Sequence, residues 1–199
     1  MLRIGLTGGI ACGKSTVAEI LMQKGALLLD ADLIAREVVA PGQPAWREIV
    51  SWLGEEIIKD DKTLDRLKIA SCVFSDHEAL KKLNSITHPR IVELFNIKSR
   101  IFAKERPDTL QIWDMPLLIE INMHKEVDVV IVVAAEQEIQ ITRLRERDGF
   151  SREDALRRIA SQMDLQEKIR LADHVIYNNS TEESLKEQVD AVWERLLSR

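Results

Sequence analysis

The chain has 199 residues, of which 45% are hydrophobic and 31% are charged, and it contains 8 Gly and 5 Pro. This composition excludes collagen-like and low-complexity chains and predicts a globular domain with a sizeable core. The net charge of -5 disfavours non-specific attraction to nucleic acid or anionic lipid, so any phosphate binding must be local.

Five apolar segments of strand type alternate with helical patterns, over residues 2–7, 26–30, 110–118, 127–135 and 174–178. Residues 129–133 are apolar on both faces and almost wholly β-branched, as in a central parallel strand covered by helices on each side. The alternation predicts an α/β fold with a mostly parallel five-stranded sheet flanked by helices.

The first helix is predicted over residues 15–24, which carry an apolar stripe and stop at Gly25. A break follows at residues 41–44, and the pattern from 45 to 104 is helical without a strong strand. We therefore predict a single domain, 1–199, with a core at 1–40 and 108–199 and a helical insertion at about 44–105. Ser151 and Ser180 each precede an acidic residue by three positions, a capping-box pattern that predicts helix starts there.

No secretory leader is expected, because the first residues lack a charged segment, an apolar segment and a cleavage site. The longest apolar run, residues 129–135, is far shorter than the about 20 residues of a membrane span. Cys12 and Cys72 form neither a disulfide framework nor a metal-ligand pattern. We expect a cytoplasmic protein that binds neither nucleic acid nor membrane and needs no obligatory protein partner.

Residues 8–15 (Gly-Gly-Ile-Ala-Cys-Gly-Lys-Ser) fit the phosphate-loop pattern G-x-x-x-x-G-K-[ST], directly between a predicted strand and a predicted helix. The glycines let backbone N–H groups surround phosphate oxygens, Lys14 neutralises the β- and γ-phosphates, and Ser15 can ligate Mg²⁺. The context disfavours the alternative of a turn that binds nothing. Cys12 is either a small filler of the loop or, with its thiol pKa lowered by the helix N-terminus, an oxidation-sensitive group.

Two carboxylates, Asp30 and Asp32, follow the second predicted strand. Ligands of open α/β sheets bind at this edge. A carboxylate there can orient an acceptor hydroxyl and accept its proton, which is the role predicted for Asp32. Asp30 can instead reach Mg²⁺ through water, and either residue can simply cap the following helix.

Arg143 and Arg147 are four residues apart on a predicted helix, hence on one face, where they can close over the transferring phosphoryl group in a mobile lid at about 143–165. A salt-bridged, solvated surface is the alternative, and it is favoured for Arg145, Arg152 and Arg157.

Two further residues each have two interpretations. Asp114 is either an acidic residue that assists Mg²⁺ binding or a structural carboxylate. His88, before Pro89, either contacts substrate or ends a helix.

The ordered set of motifs resembles the dephospho-coenzyme A kinase family over nearly the whole chain. The matching segments are 7–10 with 13–16, 30–32 with 35–36, 41–45, 64–66, Val73-Phe74, His88-Pro89, 116–118 with Glu120, Gln140 with Arg143, 158–159 with Gln162, and 172–173 with 175–176 and Asn178. Three departures stand out. Ala11-Cys12 replaces the usual Gly-Ser, Asp61-Lys62-Thr63 stands where Asp-Gly is common, and Asn178-Asn179-Ser180 replaces the usual Asn-Gly or Asn-Asn-Gly.

The resemblance implies a P-loop kinase fold and transfer of the ATP γ-phosphoryl group, with Mg²⁺, to the ribose 3′-hydroxyl of dephospho-CoA, the last step of coenzyme A biosynthesis. Asp32, Lys14 and Arg143 would be catalytic, and the insertion would receive the acceptor. The nucleotide would bind Gly9, Ala11, Cys12, Gly13, Lys14, Ser15, Thr16, Arg147 and Asn178. The acceptor would bind Thr7, Asp32, Arg36, His88, Pro116, Leu117 and Gln162. Mg²⁺ would bind Ser15, and Asp30 or Asp114 would be a further acidic group that helps to hold it.

The sequence is also compatible with two rival functions. Another small-molecule kinase would share the loop and the lid, although the two aspartates and the insertion disfavour it. A nucleotide-dependent switch would need no carboxylate for an acceptor hydroxyl, and the chain lacks an Asn-Lys-x-Asp guanine-reading motif.

Overall fold

The structure, a computed structural model, describes residues 2–73 and 76–198. Phe74, which contributes to the family resemblance, lies outside the described residues. The strands are β1 (Arg3–Gly8), β2 (Leu27–Asp30), β3 (Gln111–Asp114), β4 (Val129–Ala134) and β5 (His174–Tyr177). The helices are α1 (Lys14–Gln23), α2 (Ala31–Val38), α3 (Pro44–Leu53), α4 (Arg66–Val73), α5 (His77–Glu105), α6 (Gln137–Asp148), α7 (Arg152–Ala160), α8 (Leu165–Arg170) and α9 (Glu182–Leu197).

The strands form one five-stranded sheet within the described residues, in the order β2-β3-β1-β4-β5. The pairs β1–β3, β1–β4 and β4–β5 are parallel. The prediction of a parallel α/β sheet of the P-loop kinase type is confirmed. The third strand is shorter than the predicted 110–118, because Pro116 cannot donate a hydrogen bond to a neighbouring strand.

The chain divides into two compact units, Met1–Leu29 with Phe102–Arg199, and Asp30–Ile101. In the first unit, every residue of β4 is buried, as predicted for a central strand covered on both faces. Val17 and Leu21 of α1 share its core with Val189 and Trp193 of α9. None of the helices that the structure describes is long and apolar enough to cross a bilayer.

The second unit is helical and contains α2 to α4 and most of α5. Trp46 of α3 donates its ring N–H to the Lys62 carbonyl at 3.0 Å. Lys62 has a left-handed backbone with a φ of 65°. Asp61 accepts hydrogen bonds from the hydroxyl and the N–H of Thr63, at 2.6 and 2.9 Å, which hold the pKa of its carboxyl below its usual range. The turn therefore forms with lysine where the family commonly has glycine.

Helix α5 continues through Pro89, so the alternative that His88 ends a helix is wrong. Proline removes one backbone hydrogen bond and crowds the preceding turn. The helix persists because Ile86 and Phe95, on either side of Pro89, are both buried. The Arg90 guanidinium also donates to the Ile86 carbonyl at 2.5 Å.

One of the two predicted helix caps is correct and the other is displaced by one residue. The Ser151 hydroxyl accepts the Asp154 N–H at 3.0 Å and caps α7 as predicted. At α9 the cap is Thr181, not Ser180, because the Thr181 hydroxyl is the group that accepts the Ser184 N–H, at 3.3 Å.

Candidate active site

The phosphate loop joins β1 to α1 within the first unit. Ala11 and Gly13 have left-handed backbones, with φ values of 58° and 89°, and the Cys12 N–H closes the turn on the Gly9 carbonyl at 3.2 Å. Left-handed residues at such a turn direct successive N–H groups into one concave anion site. The N-terminus of α1 adds its positive dipole there.

Two side chains hold the carbonyl groups of this loop. Asn178, which is buried after β5, donates its side-chain amide to the Cys12 carbonyl at 2.9 Å. Arg143 of α6 donates to the Ala11 carbonyl at 3.2 Å and to the Asn178 carbonyl at 3.1 Å. Because these groups occupy the carbonyls, the N–H side of the loop is left for phosphate. Arg143, predicted to be catalytic, and Asn178, predicted to bind the nucleotide, thus both contact the loop.

The tip of the loop is held by two glutamines. The Ile10 N–H donates to the Gln162 side chain at 2.8 Å, and the Gln140 side-chain amide donates to the Ile10 carbonyl at 2.7 Å. Gln162, predicted to bind the acceptor, is thus bonded to the phosphate loop in this structure. A cavity of about 450 Å³ lies beside it, and its lining includes Gly9, Glu136, Ile159, Met163 and Leu165.

Lys14 and Ser15 begin α1 at the end of the loop. The Lys14 ammonium forms an ion pair with Asp114, the last residue of β3, and both side chains are largely buried. Ser15 is exposed and Thr16 is half-buried. Among the described residues, no group of three or more His, Cys, Asp or Glu side chains could hold a metal ion. The Ser15 hydroxyl and the Asp114 carboxylate are oxygen donors of the kind that Mg²⁺ takes together with substrate phosphates.

The two aspartates after β2 have different surroundings in the second unit. One carboxylate oxygen of Asp30 accepts the N–H groups of Asp32 and Leu33, at 2.7 and 3.1 Å, and caps α2. The capping alternative is therefore the one that the structure contains for Asp30. Asp32 is exposed in the first turn of α2, and Arg36 is exposed in its last turn.

Thr7 and Pro116 contact each other directly. Thr7 is fully buried near the end of β1, and its hydroxyl donates to the Pro116 carbonyl at 3.0 Å. Leu117, by contrast, is 47% exposed. Of these three predicted acceptor residues, Leu117 is thus the most exposed.

Three other arginines of the predicted lid pair with acidic residues. Arg147 makes two hydrogen bonds to the Asp148 carboxylate, at 3.0 and 2.7 Å, which raise the pKa of its guanidinium. Arg152 makes two bonds of 2.6 Å to Glu138 and holds the pKa of that carboxyl below its usual range. Arg157 pairs with an acidic residue on its own helix. Salt bridges at the surface, the interpretation favoured for Arg152 and Arg157, are what the structure contains.

Cys12 is fully buried inside the loop. Burial raises the pKa of its thiol, and this effect outweighs the opposing hydrogen bonds from the Ala135 and Gly9 backbone. Of the two alternatives for Cys12, the one in which the helix N-terminus lowers the thiol pKa is therefore wrong, because desolvation of a thiolate costs more than the dipole provides here. The structure favours a small residue that fills the loop.

Gln140 and Lys168 have structural contacts that no sequence motif predicted. Gln140 stands three residues before Arg143 and hence on the same helical face, which was a usable signal. Lys168 is fully buried, and nothing in the local pattern marks it, because a lysine on a short polar helix is typical of an exposed surface.

Comparisons with known proteins identify the family of the chain. The family model for dephospho-CoA kinase matches residues 2–184. A dephospho-CoA kinase of Syntrophus aciditrophicus (strain SB) is 41% identical over 199 residues, which cover 100% of this chain and 85% of that protein.

Two solved structures are also similar. The structure of TT1252 from Thermus thermophilus has a TM-score of 0.82 and 33% identity, and covers 98% of this chain and 97% of its own. The dephospho-CoA kinase from Campylobacter jejuni has a TM-score of 0.70 and 29% identity, and covers 99% of this chain and 98% of its own. The chain therefore belongs to the dephospho-CoA kinase family.

Proposed function

We propose that this protein transfers the γ-phosphoryl group of ATP to the ribose 3′-hydroxyl of dephospho-CoA and so forms coenzyme A in the cytoplasm. The observation that carries the proposal is the phosphate loop, with left-handed Ala11 and Gly13 and with carbonyls bound by Arg143 and Asn178, in a chain of this family. A loop prepared in this way loses little conformational entropy when phosphate binds.

The donor phosphates meet four sources of positive charge. Backbone N–H groups and the α1 dipole act on the phosphate oxygens, and Lys14 and Arg143 add two cationic side chains. Asp114 fixes the Lys14 ammonium at the loop before nucleotide binds. Ser15 and Asp114 are the residues that would hold Mg²⁺, which neutralises charge on the phosphates when it is bound.

Asp32 serves as the base that orients the acceptor hydroxyl and accepts its proton. It is exposed at the first turn of α2, so its carboxylate is accessible to a substrate. Asp30, by capping the same turn, fixes the backbone from which Asp32 projects. In this proposal Asp30 thus caps the helix and Asp32 acts as the base.

The second unit offers a place for part of a long acceptor. A cavity of about 270 Å³ lies within it, with apolar walls from Val38, Pro44 and Leu94 and a charged edge from Arg90 and Glu93. Mixed apolar and charged lining suits a ligand that carries both an extended chain and phosphate groups. His88 and Arg36, which are exposed on the helices of this unit, are further acceptor contacts in this proposal.

Mass spectrometry tests the proposal directly. Dephospho-CoA is incubated with the protein and MgATP, beside a panel of nucleosides and nucleotides, and the Asp32→Asn variant is compared with Asp60→Asn, an exposed aspartate in a turn of the same unit. We expect phosphorylation of dephospho-CoA alone, a loss of kcat of at least about a hundredfold in Asp32→Asn with little change in ATP affinity, and wild-type behaviour in Asp60→Asn.

Other outcomes point elsewhere. Phosphorylation of a different acceptor would leave the kinase fold intact but make the substrate wrong. ATP turnover that runs equally fast without any acceptor would favour a nucleotide-dependent switch. A loss of ATP binding in proportion to kcat would make Asp32 a metal-binding or structural residue.

A further inference from the structure

Lys168, on α8, is a lysine with no solvent-exposed surface. Its ammonium donates to the Pro116 carbonyl at 3.0 Å and lies 2.7 Å from a carboxylate oxygen of Glu120. Burying an ammonium costs several kcal/mol of desolvation, on the order of the attraction it regains from one carboxylate. The pair therefore adds little net stability relative to apolar packing, and its main effect is to fix geometry.

The fixed geometry is that of residues 115–120, which we call the strand-exit segment because they follow β3 directly. Its Pro116 carbonyl accepts two hydrogen bonds, one from Lys168 and one from the Thr7 hydroxyl at 3.0 Å. Glu120 stands at the other end of the segment. Lys168 thus binds the segment at two points, while Thr7 ties the first of them to β1.

The strand-exit segment begins next to the ion pair of the phosphate loop. Asp114, which pairs with Lys14, is the residue immediately before it. Displacement of the Pro116 carbonyl would shift the Asp114 carboxylate, because only one residue separates them along the chain. An error of about 1 Å in a group of this kind can cost a hundredfold in rate.

We infer that Lys168 is a positioning residue for phosphoryl transfer, which holds the strand-exit segment and through it sets Asp114 and Lys14 for catalysis. This inference rests on the proposed function. The same stretch of chain also carries Gln162, which binds the tip of the phosphate loop. The region between α7 and the end of α8 thus positions both sides of the phosphate site within the first unit.

The test measures stability and kinetics separately. Lys168→Met keeps the length of the side chain but removes the charge and the donor. We expect kcat on dephospho-CoA to fall about tenfold to a hundredfold, while the affinity for ATP, measured by calorimetry, changes less than about threefold because the loop N–H groups stay in place. Lys24→Met is the matched control, since Lys24 forms an ion pair of 2.5 Å with Asp190 away from the phosphate loop. It should keep the wild-type kcat.

A second variant separates positioning from simple folding. In Lys168→Met the Glu120 carboxylate loses its partner, which is a structural cost. Lys168→Met/Glu120→Gln removes that charge, so it should regain most of the lost Tm, yet its kcat should stay low because the Pro116 carbonyl still lacks the Lys168 donor.

Recovery of kcat together with Tm in the double variant would overturn the inference, as would a kcat in Lys168→Met that follows the folded fraction alone. A wild-type kcat in Lys168→Met overturns the inference only. A wild-type protein that does not phosphorylate dephospho-CoA overturns the proposed function and the inference with it.

Discussion

Replacement of Gly13 by alanine should destabilise the protein through backbone strain and through the loss of one buried hydrogen bond. Gly13 has a φ of 89°, and a Cβ at this position would overlap the side-chain amide nitrogen of Asn178. That nitrogen donates to the Cys12 carbonyl at 2.9 Å within a buried region. Alanine would therefore both strain the backbone and push the Asn178 amide away from its acceptor.

The expected cost combines these two effects. A left-handed backbone costs a residue with a Cβ about 1–2 kcal/mol, and a buried polar group that loses its hydrogen bond costs about 1–3 kcal/mol. Gly149→Ala provides the matched control, because Gly149 is also left-handed, with a φ of 70°, but a Cβ there meets nothing within 4 Å. Gly13→Ala should therefore lose about 1–3 kcal/mol more than Gly149→Ala.

Urea unfolding without nucleotide, followed by circular dichroism, measures this difference. Gly13→Ala should have the lower midpoint, and its ATP affinity should also fall because the loop N–H groups no longer converge. Equal free energies of unfolding for the two variants would refute the reasoning, since they would mean that Asn178 does not pack against the loop as described.

Three further predictions concern the same loop. Burial raises the pKa of the Cys12 thiol, so little thiolate forms at pH 7–8. Iodoacetamide should therefore alkylate the exposed Cys72 first, and peroxide at neutral pH should leave ATP binding intact. Rapid labelling of Cys12 in the folded protein, seen by peptide mass spectrometry, would contradict this. Lys14→Ala should weaken both ATP binding, measured by calorimetry, and kcat, because its charge meets phosphate in the ground state and the transition state alike; unchanged kinetics would discredit the loop assignment. Arg143→Lys should lower kcat/KM for ATP about tenfold to a hundredfold in steady-state assays, because one ammonium cannot reproduce the two bonds of the planar guanidinium; full activity would show that charge alone suffices.

The positions of the strands could be predicted because each depends on a short local pattern. Four of the five predicted segments contain an observed strand, and the first overlaps β1, which ends one residue later at Gly8. Ser151 caps its helix as expected. The cap of α9 was predicted one residue too early because two adjacent hydroxyl residues, Ser180 and Thr181, can both cap a helix. In the structure the Thr181 hydroxyl accepts the Ser184 N–H.

Departures from the family pattern also have a clear structural outcome. Ala11 and Lys62 stand where the family usually has glycine, and both adopt left-handed backbones, with φ values of 58° and 65°. Surrounding hydrogen bonds, from Arg143 to the Ala11 carbonyl and from Trp46 to the Lys62 carbonyl, hold these conformations. The motif predicted the loop, but the tolerance for a Cβ could not be predicted without these partners.

The phosphate loop, its strand and helix and the acidic pair after β2 were predictable from the chain, because they depend on residues close together in it. The side chains that hold the loop come from distant positions: Asn178 bonds to Cys12 across 166 positions and Gln162 to Ile10 across 152. The burial of Lys168 and the raised pKa of the Cys12 thiol also follow from tertiary packing. Such contacts and desolvation depend on the packing of distant segments around the sheet, which no local pattern encodes.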